Sequence, residues 1–276
     1  MDKFDEICEK IKTLKIQGAH NVAIAGVRAL KYRRDKRSVR KLLNLRPTEP
    51  CLRNSVKFVL KDFEKNYKIA IKHLKTVRRK IAEIGSRLIR DGIVVFTHCH
   101  SSTVIEILKM AFKQGKKFEV YNTETRPLYQ GRKTARELAK IGIPVKHFVD
   151  SAGRIAIKKS DLVLFGADSI TSVGKIINKI GTEMFAEIAN KYDKPVYFCT
   201  DSWKFNPKTI IGFEEKIEER SPKEVWKNPP KGVEILNYAF ESVKPELATG
   251  IISELGIFKP AVFVGEVKKN YPWIFE

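Results

Sequence analysis

The 276 residues predict an α/β protein: an N-terminal helical domain over 1–90, then a parallel sheet with helices on both faces over 91–276. Two patterns carry this. Before residue 91, apolar residues recur at three- and four-residue intervals, the spacing of one helix face. Beyond it, short apolar runs alternate with helix-patterned stretches, as in sheets buried on both sides. With 43% hydrophobic and 10% aromatic residues, the chain can bury a substantial core.

Phe4, Ile7, Cys8, Ile11 and Leu14 place a first helix over 4–15. Gln17-Gly18-Ala19 interrupts it, and a second helix runs to about residue 30. Arg46-Pro47-Thr48-Glu49-Pro50 is a break, because each proline disfavours helix in the residue before it. One long amphipathic helix is expected over 56–90, with Tyr67, Ile71, Leu74, Val77, Ile81, Ile84 and Leu88 as its apolar line. Lys65, Lys68, Lys72, Lys75 and Arg79 share another face, either simply solvated or docking an acidic partner or RNA. Strands follow at 93–97, 118–122, 145–149, 162–167 and 196–200, with helices near 102–114, 132–141 and 181–191. Residues 202–232 are expected to cross the surface, and 261–264 to return as a strand.

Charge and cysteines bound the function classes. The net charge of +21 invites RNA contact through counterion release, but no RNP, KH or zinc-finger motif accompanies it, and Lys/Glu/Ile-rich chains are also typical of heat-adapted proteins. No apolar run reaches the roughly 18–20 residues of a membrane helix, and the N-terminus lacks a signal pattern, so a cytoplasmic location is expected. Cys8, Cys51, Cys99 and Cys199 are widely spaced, which argues for free thiols and against a disulfide frame or structural zinc.

Ligands of such sheets bind beyond the carboxyl ends of the strands. The first expected strand is followed by His98, Cys99, His100, Ser101 and Ser102, the second by Glu124, Thr125 and Arg126. After the others come Asp150 and Arg154, then Asp168 and Ser169, then Asp201 and Ser202. Ser101 and Ser102 precede a helix whose free N–H groups favour phosphate. Asn178-Lys179-Ile180-Gly181-Thr182 opens another and offers an amide, an ammonium and a hydroxyl. A small phosphorylated ligand between Cys99 and Asp168 is therefore expected. Without a glycine-rich dinucleotide or P-loop motif, no cofactor is expected. Consecutive residues of extended chain face opposite ways, so His98-Cys99-His100 is not read as a metal site. The helix start beside Cys99 is expected to lower its thiol pKa, and a thiol and carboxylate facing one ligand can work as acid and base.

Thr97-His98-Cys99-His100-Ser101-Ser102, Glu124-Thr125-Arg126-Pro127, Gly166-Ala167-Asp168-Ser169-Ile170 and Asn178-Lys179-Ile180-Gly181-Thr182 resemble the superfamily of translation initiation factor 2B α/β/δ subunits. Ribose-1,5-bisphosphate isomerase and methylthioribose-1-phosphate isomerase share it. Gln17-Gly18-Ala19 and the segment from Arg46 to Pro50 fit as well. The resemblance implies a Rossmann-like C-terminal domain and a homodimer or higher homo-oligomer. It implies catalytic roles for Cys99 and Asp168, phosphate binding by Arg46, and sugar or phosphate contacts from Asn178 and Lys179. The isomerases usually carry Arg where this chain has Gln17, and Asn where it has His100. The function then expected first is a regulatory subunit that binds initiation factor 2 and retains a phosphorylated sugar or nucleotide pocket. The alternative is an aldose–ketose isomerase of a ribose phosphate.

Overall fold

The computed structural model describes residues 2–46, 49–215 and 217–276. Five helices come first: α1 (Lys3–Lys12), α2 (Ala19–Ala29), α3 (Lys36–Asn44), α4 (Pro50–Lys61) and α5 (Phe63–Gly85). The single helix expected over 56–90 is two. Asp62 leaves helical geometry at φ −158°, ψ 97°, and its carboxylate accepts the Lys65 N–H at 3.2 Å, the signature of an N-cap. Apolar periodicity continues across that junction, which hid it. Pro47 and Thr48 of the expected break lie outside the described residues; Pro50 opens α4 at its first turn, where its missing N–H costs nothing.

The α/β part runs β1 (Val94–Thr97), α6 (Ser102–Lys113), β2 (Glu119–Thr123), α7 (Gln130–Ala139), β3 (Val145–Phe148), α8 (Gly153–Lys158) and β4 (Leu162–Gly166). After β5 (Ser169–Ile170), β6 (Ile176–Lys179), α9 (Thr182–Lys191) and β7 (Val196–Cys199) come β8 (Phe240–Val243), β9 (Gly250–Ser253), β10 (Gly256–Phe258) and α10 (Pro260–Asn270). The main sheet has the order β10-β9-β7-β4-β1-β2-β3, parallel except for β10. A small antiparallel sheet, β5-β6-β8, stands beside it. The expected strand at 261–264 is the first half of α10. Its run of alanine, valine and phenylalanine reads as strand, but Pro260 occupies the first helical turn.

Side chains alternate across the sheet with period two. Phe96, Val163, Phe165 and Phe198 point into a core shared with Phe4, Val27 and Leu52 of the N-terminal helices. Val95, Leu164 and Cys199 point the other way, against Ile81 of α5 and Leu108 of α6. The basic row of α5, Lys65 to Arg79, is exposed throughout. The excursion expected at 202 begins buried instead. Trp203 and Phe205 sit in the core, fixed by the Asn54 amide of α4, which donates to both their carbonyls at 2.8 Å. Among the described residues, no helix is long and apolar enough to cross a membrane.

Candidate functional site

The chain leaves β1 for β2 and β3 on one side and returns to β4 on the other. The carboxyl ends of β1 and β4 therefore flank a topological switch point, where open α/β sheets leave a crevice. A cavity of about 260 Å³ lies there. Cys99 follows β1, and Asp168 follows β4. Gln17, Gly18, Ala19 and Arg46 reach it from the N-terminal helices, Ser101 and Ser102 from the start of α6, Asn178 and Lys179 from the end of β6. Glu124 and Arg126 do not line it. They follow β2, one strand further from β4: Glu124 accepts from Arg132 at 3.1 Å, and Arg126 donates to the Tyr129 hydroxyl at 2.6 Å.

Cys99 is held in an unusual backbone conformation, φ +64°, which a non-glycine residue adopts only where its surroundings over-determine it. Its N–H donates to Thr125 Oγ1 at 2.9 Å, and its carbonyl accepts from Thr134 Oγ1 at 2.8 Å. Gly166 allows the close approach of β4: a Cβ there would stand 2.7 Å from Ser101 Oγ. Ser101 in turn caps α6, accepting the Val104 N–H at 3.4 Å. The expected lowering of the thiol pKa is reversed. Enclosure pushes the Cys99 thiol up to about 11, against the opposing pull of Lys179, so desolvation outweighs the helix start.

The neighbouring histidines are already committed. His98 Nε2 donates to the Ile180 carbonyl at 2.9 Å, leaving Nδ1 to accept from Thr123 Oγ1 at 2.6 Å. Burial pushes His98 and His100 down to about 4, so both are neutral near pH 7. His100 bonds Thr134 through Nδ1 at 3.1 Å.

Asp168 differs. Its backbone N–H pairs with Ile177 at 2.8 Å, but among the described residues no side chain or backbone group bonds its half-buried carboxylate. Lys179 lies over the Phe240 ring at 4.6 Å. Sequence reasoning missed Lys204, Arg220, Glu49 and His20, all of which line the cavity. Lys204 Nζ donates to the Ala167 carbonyl at 2.6 Å. Arg220 is paired with Glu224 at 2.8 Å, and Arg46 with Glu49 at 2.7 Å. Burial raises the Glu49 pKa, and among the described residues its Oε2 has no partner. Lys204 lies five residues past a strand, and Arg220 lies in the polar excursion; neither has a local signal.

Beneath the cavity lies a buried cluster. Asp201 Oδ2 meets His20 Nε2 at 2.9 Å, and Oδ1 meets His73 Nε2 at 3.0 Å and the Trp203 N–H at 2.9 Å. His73 stacks on Trp203 with centroids 4.1 Å apart. Glu254 accepts from Tyr271 at 3.0 Å and from the Ser202 N–H at 3.2 Å. Donor atoms of His20, Cys51 and Asp201, and of His73, Asp201 and Glu254, lie within 4.8 Å of one another. A metal could be sought there, but hydrogen bonds already join both histidines to Asp201, and burial keeps the Cys51 thiol protonated.

The chain matches the model of the initiation factor 2 subunit family over residues 15–260. The ribose 1,5-bisphosphate isomerase of Pyrococcus furiosus is 38% identical, over 98% of this chain and 95% of its own length. That of Methanocaldococcus jannaschii is also 38% identical, over 99% and 97%. The crystal structure of a translation initiation factor eIF-2B from Pyrococcus horikoshii OT3 superposes with a TM-score of 0.85 at 28% identity, covering 96% of this chain and 99% of that one. Six relatives at 31–38% identity, covering more than nine-tenths of this chain, carry the name ribose 1,5-bisphosphate isomerase. They overturn the regulatory-subunit function expected first and favour the isomerase alternative.

Proposed function

The chain belongs to the initiation factor 2 subunit family, and from that premise we propose that it is an aldose–ketose isomerase converting ribose 1,5-bisphosphate to the ketose bisphosphate. The observation that carries this reading is the pairing of Cys99 and Asp168 in one cavity with Arg46, Lys179, Lys204 and Arg220. Six relatives of the same name support it. Lys204 supplies positive charge that Gln17 does not.

The reaction is internally balanced. The C1–O4 bond of the ring breaks and O4 gains a proton. A hydrogen moves with its electron pair from C2 to C1, and the C2 hydroxyl loses its proton as the carbonyl forms. A thiol held up to about 11 stays protonated near neutrality, so Cys99 is the acid toward O4. The unpartnered carboxylate of Asp168 takes the C2 hydroxyl proton, which then returns to Cys99. The uncapped N-terminus of α2 at Gly18 and the start of α6 at Ser101 and Ser102 offer N–H groups to phosphate. Asn178 serves the sugar hydroxyls. NMR of the purified chain with ribose 1,5-bisphosphate tests this: growth of the ketose bisphosphate supports it, and an unchanged aldose spectrum overturns it.

A homodimer belongs to the same proposal. Val149, Ile155 and Met184 are exposed apolar side chains on or beside the packed helices α8 and α9. Light scattering after gel filtration should give twice the 31.6 kDa chain mass; the mass of one chain would reject the dimer.

A further inference from the structure

His20 stands in the first turn of α2, whose N-terminus opens on the cavity without a side-chain cap. The imidazole is 4% exposed and anchored on Asp201. An ionised carboxylate only accepts, so His20 Nε2 and His73 Nε2 both donate to Asp201. In neutral His20 this leaves Nδ1 with its lone pair.

The charges of the cavity do not match its ligand. Of its four fixed cations, Arg46 and Arg220 are neutralised by Glu49 and Glu224, which leaves Lys179 and Lys204 against Asp168. Each phosphate monoester of a sugar bisphosphate brings about −1.5 to −2 near pH 7. The deficit falls on groups that can add a proton, and His20 lines the cavity.

We propose that His20 takes up a proton when the ligand phosphate binds at the N-terminus of α2, held for that role by Asp201 and His73. The inference rests on the phosphorylated-sugar reading above and adds that binding is coupled to pH. The groups facing His20 are Asp201 and Lys204 from the segment after β7, Arg78 of α5 and Cys51 of α4, with His73 and Glu254 behind Asp201. Burial, with Lys204 and Arg78, holds free His20 below its ordinary value. A phosphate dianion pulls it back up. Uptake is confined to the interval between the two values: affinity falls as pH rises across it, by up to about tenfold per pH unit for one proton, and levels off above the upper value.

The test is calorimetric titration of ribose 1,5-bisphosphate into the Cys99→Ser protein, which stops turnover, in buffers of different ionisation enthalpy. Work at about pH 7.5 keeps the ligand phosphates above their second pKa near 6. The expected result is uptake of nearly one proton, lost when His20→Gln is added and reduced by His73→Gln. His20→Gln should weaken binding on the order of tenfold at the lower end of the uptake interval and progressively less above it. Equal uptake with and without His20→Gln, or uptake removed by Glu49→Gln alone, overturns the proposal. If the bisphosphate does not bind at all, the isomerase reading fails separately. The titration is then repeated with inorganic phosphate: uptake that depends on His20 upholds the proposal, and uptake without it, or no binding, overturns it.

Discussion

Two charged clusters lie side by side in this molecule and are built on opposite terms. Around Asp201 every carboxylate oxygen has a donor: His20, His73 and the Trp203 N–H saturate it, and Tyr271 and the Ser202 N–H serve Glu254. Around Cys99 and Asp168 the backbone is pinned while the reactive groups are left unpaired. Among the described residues the Asp168 carboxylate has no donor, and Glu49 Oε2 has none either. Buried polar groups are ordinarily satisfied, so a cluster whose carboxylates are saturated marks a joint that holds elements together, even though Trp203 Nε1 and Ser202 Oγ beside it have no partner among the described residues. An unsatisfied one marks a place reserved for a ligand. Substitutions should therefore separate: those of Cys99 and Asp168 cost activity, and that of Asp201 costs stability.

Cys99→Ser tests the open side most sharply. It should lower turnover on the order of 10²–10⁴-fold, the range of acid–base contributions, with the midpoint of thermal unfolding nearly unchanged. Steady-state rates and calorimetry on the same sample check this. Asp201→Ala tests the closed side. Removing one partner of a buried charge network costs about 3–5 kcal/mol, to be read as a lowered denaturation midpoint; an unchanged midpoint would mean that the cluster is not a joint.

The sequence exposed these clusters unequally. Cys99, Asp168, Ser101, Asn178 and Lys179 were legible because each follows a strand or precedes a helix, where chemistry gathers in this class of fold. Asp201 was legible as a strand-end residue but not as a joint, since its partners arrive from residues 20 and 73. Lys204 and Arg220 had no local signal at all. In the fold, apolar strands declared themselves, whereas Asp62 and Pro260 were overlooked. In both places a capping or first-turn residue decided the local structure against a continuous apolar pattern.

A smaller effect, in pH, sharpens the contrast. Burial, reinforced by Asp201, raises Glu254 to about 7. The folded state thus binds a proton that the unfolded state releases near pH 4.5, and stability falls as pH rises from there toward 7. His73, raised from its ordinary value, contributes stability that is present below about 6.5 and lost above its folded value. Asp201, held low by its histidines, stabilises above its unfolded value near 3.9 and loses that contribution only in acid. Glu254→Gln should flatten the decline between about pH 5 and 7, worth on the order of 3 kcal/mol. Urea denaturation at several pH values checks it, and an unaltered slope would place the titration elsewhere.

The central claim is that the unpaired carboxylate of Asp168 works on a ligand and holds up nothing else. It is tested most directly by the rate of ribose 1,5-bisphosphate conversion in Asp168→Asn, measured on protein whose unfolding midpoint is taken from the same sample. The account predicts turnover reduced by about 10³-fold or more with a wild-type midpoint. Conversion at the wild-type rate, or loss of activity only in step with loss of the fold, would contradict it.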